Sequence, residues 1–472
     1  MTGATVGAPH PAGTVDLPAP GAHVHLMGIG GAGMRGLALL LDRAGYVVSG
    51  CDRAPADALG DLAEHEIRVE REHAPSHVSG TDLLVRSSAV PADQPEVVGA
   101  EVAGIPVMRR ARALGALLNG QAMVGIAGTH GKTTITAMTG HAAAAAGLDP
   151  LVLVGGRVDA WKGYTRLGDG PAIVEADEFD RSFLELHPTL AVISSLEPEH
   201  LDTYGNWERL RSAFAEFAGR TRRAEGLIYC HDDEGARGLA EASGFSGSGQ
   251  GFGYGFEDGA WCRLEQAGPR TLRLSWPDGT TDVTLRVPGR HNQLNAAAAF
   301  LATVRLGGDP RAAARGLREF RGVARRLEMI AAWPDLTVFD DYAHHPTEVA
   351  ASLSALREAY PDARLTVVFQ PHLFTRTRDF ADAFARALKT ADEARVLPIY
   401  PAREAPLPGV TSESITGGAG TTAALIDRKD AVGLVPPEVG AGESVLVFMG
   451  AGDVTDLAHA AVQRRAGDAV GT

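Results

Sequence analysis

The sequence predicts a three-domain α/β protein: a Rossmann-like N-terminal domain, a central P-loop ATPase-like α/β domain with a small antiparallel β part, and a Rossmann-like C-terminal domain. Three observations predict it. A glycine-rich turn, Gly28-Ile29-Gly30-Gly31-Ala32-Gly33, follows the first apolar strand. A second such turn, now with a lysine and two hydroxyls, lies in Gly128-Thr129-His130-Gly131-Lys132-Thr133-Thr134. Beyond residue 325 or so, near-continuous apolar strands again alternate with helices, the pattern of a parallel sheet covered on both faces. At 472 residues the chain is too long for one ordinary core. The divisions fall at residues 1–20 for a flexible tail rich in Gly, Ala and Pro, 21–119, 120–325 and 326–472.

In the first domain, His23–Met27 reads as a strand, and the glycine turn leads into a helix over Arg35–Ala44. Tyr46–Asp52 is a second strand that ends in an acid, and Asp82–Ser88 is another with polar residues at its C-terminal end. Ligands of open α/β sheets gather at such ends. In the second domain, a strand over Val124–Ala127 precedes the phosphate-type loop, and its helix runs through Ala142–Ala146 to stop at Gly147, a C′ glycine. Ala172–Glu175 and Leu190–Ser194 are further strands. The Gly/Ser/Thr-rich stretch over 240–290 alternates like short antiparallel strands, and a helix starts near Gln293. In the third domain, Leu336–Tyr342 opens a strand, followed by a helix to about Tyr360 and strands over Leu365–Phe369, Arg395–Ile399 and Ser444–Met449.

Composition bounds the function. A formal net charge of −14 disfavours a general nucleic-acid or anionic-membrane binder, which needs a basic face. No run approaches the ~18 apolar residues of a membrane span. The three cysteines, Cys51, Cys230 and Cys262, show no metal-ligand or redox spacing, which fits a reduced cytoplasm.

The loop Gly128–Thr134 has the chemistry of a nucleoside triphosphate site. Backbone N–H groups of the turn and helix start face the anion, Lys132 reaches the β/γ-phosphates, and Thr133 can ligate Mg²⁺. The match is a short variant, because the usual first glycine of the motif is Ile126 here. The bland alternative is a plain strand–turn–helix. Glu175 ends a strand beside this loop and is a candidate Mg²⁺ ligand, whereas Asp177, Glu178 and Asp180 equally suit caps or a solvated edge. His200 follows the next strand, and an imidazole ligand there would mark a second metal site. Asn292, Arg325 and Asp341 also stand at element ends. The run Asp341-Tyr342-Ala343-His344-His345-Pro346 and the run Gln370–Arg378, which holds Arg376, would make two crevices fitting an amino acid: acids and His near its amine, arginine on its carboxylate. The N-terminal glycines with Asp52 alone would suit any pyrophosphate, including that of NAD.

Taken in order, these motifs resemble the Mur ligases of peptidoglycan synthesis from about His23 to Asp456. The resemblance is nearest to the branch that adds L-alanine to UDP-N-acetylmuramate. It implies ATP-dependent amide formation on the lactyl carboxylate through an acyl phosphate. It implies ATP contacts from Gly128, Thr129, His130, Gly131, Lys132, Thr133, Thr134, Asn292, Arg325 and Asp341. UDP-sugar contacts would come from Gly30, Gly31, Ala32, Gly33, Asp52, Ser87 and Ser88, and amino-acid contacts from Tyr342, His345 and Arg376. Thr133, Glu175 and His200 would hold Mg²⁺, and Lys132, His200, His345 and Arg376 would be catalytic. The chain departs from the family at Glu199, where Asp is usual, and at Leu373, where some members carry Arg, which puts weight on Arg376. The run Arg209–Phe214 holds no lysine for the carbamoylation that sister ligases carry. A cytoplasmic monomer or homodimer is expected. The competing readings are a ligase that recycles a preformed tripeptide onto the same sugar, a nucleotide-driven regulatory switch, and an NAD oxidoreductase.

Overall fold

The computed structural model describes residues 16–53, 59–221, 225–402, 404–418, 423–435 and 443–470. Of the expected tail, residues 1–15 lie outside the described residues. The part described is pinned, with the Tyr46 hydroxyl donating to the Pro18 carbonyl at 2.8 Å.

Among the described residues three sheets follow one another along the chain. The first joins β1 (His23–Met27), β2 (Val47–Asp52), β3 (Arg68–Arg71), β4 (Leu83–Arg86) and β5 (Val107–Arg109), all parallel, in the order β3-β2-β1-β4-β5. The order reverses between β1 and β4, so a crevice opens beyond their C-terminal ends, where the glycine turn meets Ser87 and Ser88. The helix after the turn begins at Ala32, three residues earlier than the apolar pattern indicates, because the turn closes directly onto it.

The second sheet holds ten strands: β6 (Met123–Ala127), β7 (Leu151–Val158), β8 (Gly163–Arg166), β9 (Ala172–Glu175), β10 (Leu190–Ile193), β11 (Leu227–Cys230), β12 (Gly251–Gly255), β13 (Cys262–Gly268), β14 (Thr271–Trp276) and β15 (Gly279–Thr284). Their order is β15-β14-β13-β12-β11-β10-β6-β9-β7-β8. The antiparallel part is therefore an extension of this sheet and not a separate excursion: β12 pairs parallel with β11 and passes the sheet on to the meander β13-β14-β15. The phosphate-type loop leaves β6 between β10 and β9, which brings Glu175 and the segment after Ile193 to its two sides.

The third sheet has the order β16-β17-β21-β18-β19-β20, with β16 (Glu328–Ala332), β17 (Leu336–Asp341), β18 (Arg364–Phe369), β19 (Glu393–Val396), β20 (Ala423–Leu425) and β21 (Ser444–Met449). Only its edge strand β16 is antiparallel. Along β21, Val445, Val447 and Met449 enter one core, while Leu446 and Phe448 enter another on the opposite face. That is why these strands are apolar without alternation: both faces are covered by helices. The strand expected over Arg395–Ile399 starts two residues earlier and ends three residues earlier, at Val396. The residues after it form a loop joined to the site by a bridge between His372 and Tyr400.

The first two sheets pack tightly together. A Cβ at Gly36 would lie 2.7 Å from Leu153, and one at Gly115 would lie 2.4 Å from the Glu185 carbonyl, so glycine is what lets these helices approach the second sheet.

Candidate nucleotide and ligation site

A cleft of about 790 Å³ opens between the second and third sheets. Its floor is the loop after β6. The helix Lys132–Ala145 starts without any side-chain cap on its first turn, so the N–H groups that helices usually satisfy with a Ser or Asp side chain face the cleft. The two loop glycines are required by geometry. Gly128 and Gly131 have φ of 134° and 85°, and a Cβ on Gly131 would lie 2.6 Å from Asn295 Oδ1. The rest of the loop is tied down from the next strand, with Thr129 N donating to the Ser195 carbonyl at 3.0 Å and His130 N to Ser195 Oγ at 3.0 Å.

Lys132 curls back over this loop. Its Nζ donates to the Gly128 carbonyl at 2.7 Å and to both Glu178 oxygens at 2.9 and 2.8 Å. Burial works against the ammonium, but the carboxylates of Glu178 and then Asp177 outweigh it and hold the lysine protonated. Beside it, Thr133 Oγ1 donates to Glu175 Oε1 at 3.0 Å, and Glu175 Oε2 accepts from Gly155 N at 2.7 Å. Hydroxyl and carboxylate oxygens at this position are the hard donors that suit Mg²⁺. His200 stands elsewhere in the cleft, its Nε2 3.9 Å from Glu178, and burial, then the charge of Lys132, lower its pKa below the ordinary histidine value against the pull of Glu199.

The roof comes from the third sheet. Asp341 ends β17 fully buried; desolvation pushes its carboxyl up to about 6, and Oδ2 has no hydrogen-bond partner. A buried acceptor left unpaired in a cleft is ready for a ligand hydroxyl or N–H. Arg325 spends its guanidinium on the carbonyls of Gly450 and Gly452 at 2.8 and 3.0 Å. Its neighbour Arg326 points across the cleft to Thr133 Oγ1 at 3.5 Å, while both guanidiniums stack on Tyr342 at 4.8 and 4.9 Å. Several residues around the cleft hold backbone that side chains disfavour: His200 (φ 54°), Arg325 (59°), Leu327 (48°) and Leu373 (70°). Such strain persists where the surrounding structure dictates it, and it gathers at functional sites.

Floor and roof are clasped by charge. His130 Nδ1 is 3.2 Å from Glu348 and its Nε2 is 3.5 Å from Glu197. Burial opposes the imidazolium, but these two carboxylates raise it to about 10. Glu348 also accepts from the backbone N–H groups of His344 and His345 at 3.0 and 3.2 Å, forming the capping box of the helix Pro346–Ala359. Thr347 Oγ1 donates to Glu197 at 3.0 Å, and Arg376 donates to Glu199 at 2.7 Å. A group whose folded pKa is raised stabilises fully below its unfolded value and loses that contribution as pH rises through the folded one. The His130 part of the clasp is therefore complete below about pH 6.5 and is lost as pH rises through about 10. Glu197 and Glu348 are held below the usual carboxylate range, so their part is lost on the acid side. We expect the melting temperature to fall between pH 8 and 10.5 in wild type and to fall less in His130→Gln; superimposable pH curves would remove His130 from the clasp.

Of the residues singled out from sequence, Thr129, His130, Gly131, Lys132, Thr133, Thr134, Glu175, His200, Asn292, Arg325, Asp341 and Tyr342 line the cleft. Gly128, at the start of the loop, does not line the cleft. His345 is the N-cap of its helix, its ring 5.0 Å from that of His130. Arg376 does not line the cleft and is already paired with Glu199. Gly30, Gly31, Ala32, Gly33, Asp52, Ser87 and Ser88 stand apart from the cleft at the C-terminal ends of β1, β2 and β4, where the strand order of the first sheet reverses and a crevice is expected. There Asp52 turns back to accept from Gly30 N at 2.7 Å. Ser88 hydrogen-bonds Asp180, linking this crevice to the acid cluster of the second sheet. Arg326 and Asn295 stand in the sequence motifs beside Arg325 and Asn292 but carried no site role there, and Glu197 and Glu348 carried none either. Glu348 left a signal as the residue three places after the N-cap His345 in a capping-box spacing.

Comparison with known proteins agrees with this arrangement. Family models for the Mur ligase catalytic domain, the Mur ligase middle domain and the Mur ligase glutamate ligase domain match residues 23–122, 126–303 and 325–452. A UDP-N-acetylmuramate–L-alanine ligase of Paenarthrobacter aurescens is 43% identical over 433 residues, which are 92% of this chain and 94% of that one. One from Kineococcus radiotolerans is 44% identical over 450 residues, with the same coverage of 92% and 94%. The crystal structure of a UDP-N-acetylmuramate–alanine ligase from Thermotoga maritima superposes with a TM-score of 0.78 at 27% identity, over 95% of this chain and 100% of that one. A murein peptide ligase from Psychrobacter arcticus shares the fold, with a TM-score of 0.67 at 22% identity over 94% and 99% of the two chains.

Proposed function

The chain belongs to the Mur ligase family, and from that premise we infer that it joins L-alanine to the lactyl carboxylate of UDP-N-acetylmuramate at the expense of ATP, in peptidoglycan precursor synthesis. The observation that carries the chemistry is the uncapped helix start with Lys132, Thr133 and Glu175 on one side of a cleft and a separate Arg/His-lined wall on the other.

A carboxylate does not react with an amine at neutral pH, because oxide would have to leave. Phosphorylation by ATP converts that oxide into phosphate, and the amine then attacks the acyl phosphate. The ATP phosphates are assigned to the loop Gly128–Thr134, with Lys132 exchanging Glu178 for the β/γ-phosphates. Arg326, which already faces Thr133, supplies a second cation where charge develops. Thr133 and Glu175 suit Mg²⁺, which would neutralise phosphate charge there, with His200 near a second ion. Asn292, Arg325 and Asp341 form the nucleoside end. The crevice of Gly30, Gly31, Ala32, Gly33, Asp52, Ser87 and Ser88 is assigned to the UDP moiety. The clasp between floor and roof keeps water from the acyl phosphate. Residues 21–119, 120–325 and 326–472 are taken as the units that meet there. Among the described residues no helix is long and apolar enough to cross a membrane. A cytoplasmic monomer or homodimer fits the small, soluble substrates.

Tyr342, His345 and Arg376 are assigned to the amino acid. Arg376 has to trade Glu199 for the substrate carboxylate, so Arg376→Ala should raise the KM for L-alanine roughly 10–100-fold while leaving the KM for ATP within about twofold. Equal changes in both would overturn the assignment. The reaction itself is tested by incubating the protein with ATP, Mg²⁺, UDP-N-acetylmuramate and either L-alanine or the tripeptide L-alanyl-γ-D-glutamyl-meso-diaminopimelate. A product heavier by one alanyl residue, formed with phosphate release that needs all reactants, is expected. Preference for the tripeptide would favour the recycling reaction, and no new amide would sink both.

A further inference from the structure

Away from the cleft, the first sheet buries a polar cluster that the ligation chemistry does not use. His25 comes from β1, Cys51 from β2, His77 from the short turn Pro75–Val78 and Glu96 from the helix Pro95–Val102. His25, Cys51 and Glu96 are at most 1% exposed. The wall around them is apolar, built from Met27, Val78, Leu84, Val97 and Ala100. The ion pairs of Glu96 among the described residues are to histidines only. A carboxylate in such a place needs a cation or a proton.

We propose that His25, Cys51, His77 and Glu96 form a structural zinc site that ties four segments of the N-terminal domain together. One donor atom from each residue lies within 4.8 Å of all the others. Bonds of ~2.0–2.3 Å to a tetrahedral ion place neighbouring donors roughly 3.3–3.7 Å apart. Of the six edges, the three to Glu96 are 3.3 Å from His25 Nε2 to Oε1, 3.4 Å from His77 Nδ1 to Oε1 and 3.5 Å from Cys51 Sγ to Oε1, and the other three are within 4.8 Å. The two ring nitrogens are close to the carboxylate and yet make no hydrogen bond with it. They are near but not aligned, as expected of lone pairs aimed at a common point between the donors. The outer contacts also match a metal site. His25 Nδ1 is held by Ser49 Oγ at 2.8 Å, which leaves Nε2 as the inward nitrogen. His73 Nδ1 lies 3.0 Å from the Cys51 sulfur, where it can donate to a thiolate. A mixed sulfur, nitrogen and carboxylate set selects zinc over Mg²⁺ or Ca²⁺. The site borders the glycine turn, since the Cys51 carbonyl accepts from Gly28 N and Ile29 N at 2.9 and 3.2 Å.

The test uses the full chain, expressed untagged and purified without chelators. Metal analysis should find about one zinc per chain, and less than about a fifth of that in Cys51→Ala or His77→Ala. Chelation should lower the melting temperature of the wild type and leave that of Cys51→Ala unchanged. Cobalt exchange should give the visible bands of tetrahedral Co²⁺ with a thiolate-to-cobalt absorption. The chain holds three cysteines, so the Cys230→Ala/Cys262→Ala chain, which keeps only Cys51, should retain that absorption. This reading needs no folding of a Cys51 variant, and it separates the cluster from the cleft, where the group His130, Glu197 and His345 has no sulfur. A chain that stays zinc-free after incubation with zinc, with no thiolate band under cobalt, would overturn the proposal. Neither outcome depends on the ligase activity.

Discussion

Lys132→Ala is expected to lower ATP-dependent phosphate release by about 10³-fold or more while binding of UDP-N-acetylmuramate stays within about twofold. The lysine stands on the phosphate loop, and the crevice assigned to the UDP moiety belongs to another sheet. In the free chain Lys132 is also the partner of a buried carboxylate, Glu178. Removing it strands that charge, at a cost of about 3–5 kcal/mol unless Glu178 takes up a proton, which its burial favours. Loss of activity could then be misread as loss of fold. The double variant Lys132→Ala/Glu178→Gln separates the two: it should regain the wild-type melting temperature and remain inactive. Near-normal turnover in either variant would end the proposed role of the lysine. Phosphate release is read by a coupled assay, and sugar binding by calorimetry.

Glu175→Gln should have the next largest effect. The amide keeps the size of the side chain and one acceptor for Gly155 N, but it removes the charge beside Thr133. The Mg²⁺ concentration for half-maximal rate should rise roughly 10–100-fold, and kcat at saturating Mg²⁺ should fall about 100-fold. The melting temperature without metal should change little, because the amide oxygen still accepts from Gly155 N and the amide N–H can donate to Thr133 Oγ1 in place of the bond that Glu175 accepted, while only part of the negative field around Lys132 is lost. An unchanged Mg²⁺ requirement would show that the metal is held elsewhere, and the acids of Asp177 and Glu178 would be the next to test.

The two loops show how unevenly the site could be read from sequence. Gly128 to Thr134 was legible because its glycines, lysine and hydroxyl are adjacent in the chain, and their spacing alone sets a phosphate-sized cradle. Arg325 and Arg326 are also adjacent, yet spacing does not say which of them faces the nucleotide. The backbone at Arg325 has φ 59°, which turns its side chain onto the carbonyls of Gly450 and Gly452 and leaves Arg326 to cross to Thr133. Arg376 was read as free for a substrate carboxylate, but the fold sets it against Glu199 from the other side of the cleft. The pairing joins residues far apart in the chain, so no local pattern reveals it.

The alternation of strand and helix, the two glycine turns, the acid that ends β9 and the family were all determined by the sequence itself. Each depends on residues a few positions apart, where backbone geometry and side-chain period govern. Tertiary structure alone decided the partners of His130, Lys132 and Arg376, the continuity of the antiparallel strands with the central sheet, and the meeting of His25, Cys51, His77 and Glu96. The physical reason is that charge pairing and metal-type clusters depend on distance in space. Across 71 positions of chain, from 25 to 96, the parallel pairing of β1 with β2 and the packing of the turn Pro75–Val78 against the helix Pro95–Val102 bring such groups within a few ångströms.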